Sequence, residues 1–443
     1  MQNNRNLYNK KRILHITSQK PDKTGSGIYA REIMSEGHNH GYAQALICGI
    51  QFDENFKPSF IEDKNYYPVY FKTKSLPFSV VGMSDIMPYD STRYDEIDEA
   101  KLSALKYAFK KVIDKAIKEF QPEIIICHHL WLLTAFIKNL YPSLPMMVIS
   151  HGSDLRQLEL NPRFKPYVIE NCRKVNKILA LNEKNKNLIA NLFDINEMDI
   201  EIIGSGYNKD LFYTKEYIDK CEYAHLNNSA IGNGCSKNKR LEIVYAGKIS
   251  FSKGLSSLIS SLNNLSFNKD GLNITLIGGG TGLDSIEIKK QAKLCKYNIT
   301  FTGAIPQAKL ANYFRNSDIF VLPSFYEGLP LVIIEALASG LRIVVNDLPG
   351  IKSWIGENIN NSGVIEYVQM PKMLSVDAPY EYELFEYEKR LSKAIETQIY
   401  KVLNLNKIDE KILNEIKEMS WEKVFEKLEK VLLCVTSSNH NPL

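Results

Sequence analysis

The chain has 443 residues, 44% hydrophobic and 24% charged, with a net charge of +4 at neutral pH. At roughly 150 residues per domain this length predicts two or three domains, and the composition excludes a disordered or low-complexity chain. Basic and acidic residues balance in both halves, 28 against 25 over 1–212 and 27 against 26 beyond, and Lys outnumbers Arg 44 to 11, so no nucleic-acid partner is expected.

In chain order, MQNNRNLYNKKR has no apolar run behind it, so no secretory signal is expected. RILHIT (12–17) reads as a first strand, GIYAREIMSEGHNHG (27–41) as a helix and YAQALICGI (42–50) as a second strand. Residues 96–119 carry apolar positions at helical spacing. EIIIC (123–127), PMMVISH (145–151), KILAL (177–181) and DIEIIGSG (199–206) continue as buried strands. Buried strands alternating with helices predict a parallel sheet covered on both faces. The longest apolar stretch, IIICHHLWLLTAFI (124–137), carries two histidines and ends at Lys138, short of the roughly 18 residues a membrane span needs.

Residues 213–240 are polar and read as a linker or loop. The alternation then restarts with LEIVYAG (241–247), a helix near 254–265, NITLIGGG (273–280) and a helix near 283–296. It continues with ITFTG (299–303), a helix near 306–316, DIFVLPS (318–324), the helix PLVIIEALASG (330–340) and RIVVND (342–347). SWEKVFEKLEKVLL (420–433) is an amphipathic helix. The fold class is therefore α/β, two doubly wound units: 1–212, with the helix of 418–443 expected to pack back on it, and 241–417. The seven cysteines (48, 127, 172, 221, 235, 295, 434) are scattered, odd in number and never spaced C-x-x-C, which argues against a disulfide framework or a zinc site and for a cytoplasmic location.

PSFYEGLPLVIIEALASG (323–340) holds the most chemistry. Its loop follows a strand and precedes a helix, so the amides of Gly328, Leu329 and Leu331 are expected to face outward, where an anion such as a diphosphate binds in open α/β sheets. Glu327 and Glu335, eight residues apart, are poor phosphate neighbours but good acceptors for hydroxyls, which suggests a sugar and a ribose. On spacing alone, a solvated Glu327 with a helix-dipole bonus and a surface Glu335 are as good a reading. GSGIYA (25–30) formally fits the dinucleotide fingerprint G-x-G-x-x-A. Its first Gly comes too far past the strand, however, and no acidic residue ends the second strand, so a dehydrogenase reading is weak.

VLPSFYEGLPLVIIEALASG closely resembles the E-x7-E signature of retaining glycosyltransferases of family 4, enzymes of the GT-B architecture. ISHGSDLR (149–156), ALNEKNKNLI (180–189), GSGYNKDLF (204–212), YAGKISFSKG (245–254), LIGGG (276–280) and ITFTGAIPQAKLANYFRNSDIFVLPS (299–324) match in the same order. The resemblance covers most of 12–350 and the final helix, and is thin over 51–95 and 360–415. It implies two Rossmann-like domains facing across a cleft, a UDP- or GDP-sugar donor held by the C-terminal one, and a hydroxyl acceptor, glycan or lipid-linked, on the N-terminal one. It implies retention of anomeric configuration by front-side displacement, with neither cofactor nor metal. By analogy the product belongs to cell-surface polysaccharide, made with peripheral contact at the inner face of the membrane.

Residue by residue, the resemblance assigns Glu327 to the donor sugar, Glu335 to the nucleotide ribose, and the 328–331 amides to sugar and phosphates. Lys248 and Lys253 fall beside the diphosphate; where Lys248 stands the family usually has Arg, which grips phosphate bidentately, whereas Lys acts as a point charge. Gly279 lies in the matching LIGGG, Ile305 beside the base, and Gly25 and Gly27 in the Gly-rich loop that approaches the diphosphate. His151 matches the histidine beside the donor sugar. His128 and His129 end the preceding strand on the acceptor side, with Trp131 next to them equally suited to the core. Acceptor choice is expected in the weakly matching segment 76–94, unless that segment is a structural lid packed on the sheet. Two alternatives remain: a non-transferase GT-B enzyme such as a sugar-nucleotide 2-epimerase, and a degenerate nucleotide-binding subunit, for which the Lys248 departure is the best support.

Overall fold

The computed structural model describes the chain apart from residues 1–10, 23, 85–86, 215–239, 281, 328, 405–406 and 438–443. It divides into two compact units, Met1–Ser205 with Trp421–Leu443, and Gly206–Ser420. The first is built on a seven-stranded sheet: β1 (Arg12–Thr17), β2 (Ala43–Gln51), β3 (Tyr66–Phe71), β4 (Ile124–His128), β5 (Met146–Ile149), β6 (Lys177–Ala180) and β7 (Ile200–Ile202). Their order is β3-β2-β1-β4-β5-β6-β7, and every pairing is parallel. The apolar runs explain this directly, since all residues of β4 and β5 are buried, as a sheet covered on both faces requires.

β3 lies in the stretch 51–95, where the resemblance is thin. It is an edge strand with alternating burial, and Pro68 is tolerated there because its missing N–H costs no ladder bond on the open side. The helix after β1 runs Gly25–Asn39, beginning two residues earlier than its apolar period suggests because Thr24 caps it, its hydroxyl accepting from the Gly27 amide at 3.0 Å. The last helix, Trp421–Ser437, belongs to this unit: Trp421 stacks edge-on against Tyr29 at 4.8 Å, and the Tyr42 hydroxyl donates to Glu429 at 2.7 Å.

The second unit carries β8 (Leu241–Ala246), β9 (Leu272–Ile277), β10 (Ile299–Gly303), β11 (Ile319–Leu322), β12 (Arg342–Asn346) and β13 (Ile365–Val368). They are ordered β10-β9-β8-β11-β12-β13, again all parallel. The boundary falls before the one expected at 212: Tyr207 and Phe212 are buried in the second unit's core, and the Tyr207 amide donates to Met419 O at 3.2 Å. Their aromatic surface is what draws 206–212 across. Of the expected linker 213–240, residues 215–239 lie outside the described residues.

Both sheets reverse strand order once, between β1 and β4 and between β8 and β11. In open parallel sheets the crevice outside the carboxyl ends of strands at such a reversal is where ligands bind. Each unit therefore offers one such place.

Candidate functional site

In the second unit, the carboxyl end of β11 runs through buried Pro323 and Ser324 to the half-buried Glu327. The loop after β8 meets it there. Lys253 Nζ lies 2.8 Å from Glu327 Oε1 and donates to Tyr326 O at 3.2 Å, while the Phe325 amide donates to Ser252 O at 3.0 Å. Gly254, at φ +68°, follows Lys253, and a Cβ there would overlap the Pro323 carbonyl. Glycine is thus needed for both its left-handed backbone and the close approach that brings Lys253 to Glu327.

Glu335 is buried one turn into the helix Leu331–Ala338, and Gln307 Nε2 donates to its Oε1 at 2.9 Å. Gln307 opens the helix after β10, two residues beyond Ile305, which is half-buried against the core. Lys248 is exposed on the loop after β8, whose course is fixed by the Tyr245 hydroxyl donating to the Lys248 carbonyl at 2.8 Å. Burial, and next the negative charge of Glu327, push the Tyr245 phenol above its ordinary range, so Tyr245 stays a neutral donor. Gly279 is exposed and its carbonyl accepts from the Ile249 amide at 2.9 Å, tying the loops after β8 and β9 together.

The amide cradle differs from expectation. Gly328 lies outside the described residues, and Pro330, at the capping position rather than inside the helix, has no N–H. Its φ of −79° and ψ of 84° turn the chain so that the Leu331 amide donates to Leu329 O at 3.0 Å. The Leu331 N–H is therefore spent within the turn instead of pointing at a ligand.

At the corresponding end of the first sheet stands a row of imidazoles. His15 and His128 stack with centroids 5.9 Å apart, His128 and His151 stack at 5.8 Å, and His129 lies 4.9 Å from His151. His15 Nε2 contacts Gln44 Oε1 at 2.9 Å. His15 Nδ1, both nitrogens of His128 and of His129, and His151 Nε2 are buried with no hydrogen-bond partner. Burial holds these imidazoles neutral: His15 is pushed down to about 4, His128 falls well below the ordinary value through burial and then the charges of His15 and His129, His151 does so through burial and then those of His129 and His128, and His129 falls although Asp154 opposes it.

Asp154 organises this end. Fully buried, it accepts from the Leu130 amide at 2.7 Å, the Ser150 hydroxyl at 3.0 Å, the Leu155 amide at 3.1 Å and the His151 amide at 3.3 Å. It thereby clamps the loops after β4 and β5 together and supports His129, a non-glycine residue at φ +82°. Asp154 stands three residues after His151 in HGSD, where nothing local marks it as the acceptor of four bonds. Trp131 is buried in the core.

Gly27 needs its small size for a local reason. A Cβ would press on the backbone of Pro21 and Asp22, and its amide is taken by Thr24, whereas nothing lies within 4 Å of a Cβ on Gly25. Of the segment expected to choose the acceptor, Leu76, Val80, Val81, Met83 and Tyr94 are buried in the sheet's core, so much of 76–94 is structural cover. Among the described residues, no group of three or more His, Cys, Asp or Glu is arranged to hold a metal, and no helix is long and apolar enough to cross a membrane.

Comparison with known proteins fits this geometry. Residues 233–377 match the model of the family described as Glycosyl transferases group 1. An uncharacterised glycosyltransferase of Methanocaldococcus jannaschii is 21% identical over 206 residues, 46% of this chain and 50% of that protein. The Bacillus subtilis protein with the provisional name teichuronic acid biosynthesis glycosyltransferase TuaC is 24% identical over 369 residues, 78% of this chain and 84% of its own. The chain thus spans half the length of the first relative and most of the second. Among solved structures, sucrose-phosphate synthase from Thermosynechococcus elongatus superposes with a TM-score of 0.66 at 15% identity, covering 97% of this chain and 100% of that one. Anabaena HepE in complex with UDP and glucose gives 0.63 at 12% identity, covering 96% and 100%. The fold is that of the GT-B glycosyltransferases, two parallel-sheet Rossmann-like domains.

Proposed function

We propose that this protein is a retaining glycosyltransferase of family 4 that moves a hexose-type sugar from a UDP- or GDP-sugar to a hydroxyl acceptor, glycan or lipid-linked, in cell-surface polysaccharide assembly at the cytoplasmic face of a membrane. The observation that carries this reading is the Lys253–Glu327 pair at the sheet's strand-order reversal, 2.8 Å apart on two loops stitched to each other. The names of TuaC and of AmsD, the amylovoran biosynthesis glycosyltransferase of Erwinia amylovora, support the polysaccharide assignment.

In this reading the second unit binds the donor. Glu327 accepts hydrogen bonds from sugar hydroxyls, Glu335 and its partner Gln307 take the ribose, and Ile305 lies against the base. Lys253, with Lys248 nearby in sequence, stabilises the diphosphate as the C1–O bond to it breaks, which is electrostatic catalysis where charge develops. The acceptor hydroxyl forms the new bond on the same face and passes its proton to the departing phosphate. The first unit binds the acceptor through neutral imidazoles, each able to present one donor and one acceptor to a hydroxyl. His151 orients the sugar, with His128 and His129 on the acceptor side.

The lysines supply the positive charge that other transferases obtain from a metal held by a D-x-D pair. None of the nineteen aspartates has another two positions away. Thermal-shift screening against UDP-glucose, UDP-N-acetylglucosamine, UDP-galactose and GDP-mannose tests the reading, because a donor at 100 times its Kd stabilises by about 2.7 kcal/mol. Stabilisation by one base series, followed by donor turnover, supports it. Binding without turnover identifies a nucleotide-binding subunit, and no response to either base refutes the assignment.

A further inference from the structure

The loop bearing Glu327 is held from behind by residues that the donor-site reading leaves without a role. Asn346, the last residue of β12, is fully buried, and its Nδ2 donates to two successive carbonyls, Pro323 O at 2.9 Å and Ser324 O at 3.0 Å. Its Oδ1 accepts from the Tyr387 hydroxyl at 2.8 Å, and that hydroxyl also lies 3.3 Å from Pro323 O. Tyr387 is fully buried in the helix Glu381–Leu403, its ring 5.5 Å from that of Phe325. The Pro323 carbonyl is therefore met from three directions, by Asn346, by Tyr387 and by the backbone of Gly254, the residue after Lys253.

We infer that Asn346 and Tyr387 are positioning residues for the Glu327–Lys253 pair: they fix the Pro323 and Ser324 carbonyls, four and three residues before Glu327, and, through Gly254 packed on the Pro323 carbonyl, the height of Lys253. This inference rests on the donor-site reading for its catalytic consequence, though not for its geometry. An amide side chain suits the task because one NH2 group bonds two adjacent carbonyls while its oxygen takes the tyrosine proton, so its polar atoms are satisfied in a dry environment. Small misplacements of reacting groups cost large factors in rate, which gives such a clamp an effect without its touching substrate.

Tyr387→Phe removes one hydroxyl and keeps the ring. Two measurements on the full chain test the inference, hydrogen exchange at the Phe325 amide and donor turnover of the best nucleotide sugar among UDP-glucose, UDP-N-acetylglucosamine, UDP-galactose and GDP-mannose. Exchange at Phe325 should quicken while strands β11 and β12 keep their protection, and kcat should fall about tenfold with KM changed by less than about twofold. In a Glu327→Gln background the same substitution should lower residual turnover by clearly less than about tenfold, because only the part of its effect that runs through Lys253 remains. Asn346→Ser, which cannot reach both carbonyls, should give a larger loss with the same non-additivity. Unchanged exchange at Phe325, wild-type kcat in the folded variants, or an equal loss in both backgrounds would each overturn the inference. If the wild-type protein turns over no nucleotide sugar while exchange at Phe325 still rises, the transferase reading falls and the clamp stands.

Discussion

The two sheets end in opposite chemistry at the same topological place. At the strand-order reversal of the second unit the side chains are charged and already partnered, Lys253 with Glu327 and Glu335 with Gln307. At that of the first unit they are neutral imidazoles, and apart from His15 Nε2 on Gln44 the buried nitrogens of His15, His128 and His129, with His151 Nε2, have no partner. A doubly wound sheet decides where a ligand goes, and the residues closing its strands decide what kind. A diphosphate needs fixed positive charge and a carboxylate suits sugar hydroxyls. A neutral hydroxyl acceptor is better met by uncharged groups that donate and accept.

The sharpest way to break this comparison is Glu327→Gln. Transfer should be nearly abolished while nucleotide affinity stays close to normal, since each lost hydrogen bond to a charged acceptor costs on the order of 1.5–3 kcal/mol in the complex that needs it. Equal losses of UDP or GDP binding and of turnover would erase the division of labour between Glu327 and Glu335.

The imidazole row predicts a pH effect on the first unit. Its histidines titrate below the ordinary value near 6.5, His15 at about 4, so between those limits the unfolded chain binds more protons than the folded one. Stability is thus fully present above pH 6.5 and falls as pH drops through the window, by on the order of 1 kcal/mol per buried histidine at pH 5.5. Thermal melts at pH 7.5 and 5.5 should show this, with a shallower fall for His128→Asn. A pH-independent melt would mean that these rings are charged or solvated.

Lys253→Ala should weaken binding of UDP or GDP by about tenfold and lower kcat as well, because it removes a charged partner of the leaving group. Transfer should survive excess EDTA and decline with added salt, since point charges are screened over about 8–10 Å at 0.1–0.15 M ionic strength. Loss with EDTA that Mg²⁺ or Mn²⁺ restores would transfer the role of Lys253 to a metal. The smallest effect belongs to Lys248. Exposed to solvent, it should contribute no more than about 1 kcal/mol, so Lys248→Ala should weaken donor binding less than Lys253→Ala does. A larger loss would mean that this loop closes on the donor and dries the lysine.

The sequence shows these ends of the molecule unevenly. The strands leading to Glu327 and His151 are legible because unbroken apolar runs have one stable setting, a sheet covered on both sides. The Glu327–Glu335 spacing is legible because it is local. The Gln307–Glu335 and Asn346–Tyr387 bonds are not, since they join residues 28 and 41 positions apart and each partner alone is an ordinary polar residue. β3 escaped because an edge strand alternates weakly and carries Pro68. The turn that closes Leu331 on Leu329 is not legible either, because it depends on Pro330 standing at the capping position rather than inside the helix.

The helix Trp421–Ser437 has a consequence for how the chain is made. Its Trp421, Phe425, Leu428 and Leu432 are buried in a unit whose other described residues end at Ser205. On the ribosome the whole of 206–420 emerges before this helix does. Until then Tyr29 and Tyr42 lack the partners they meet in the finished protein. The second unit is contiguous and can fold as it appears, whereas the first waits for contacts about 400 residues apart, which are slow to form. A nascent chain stalled before residue 421 should therefore carry a folded second unit beside a first unit that is protease-sensitive and prone to chaperone capture.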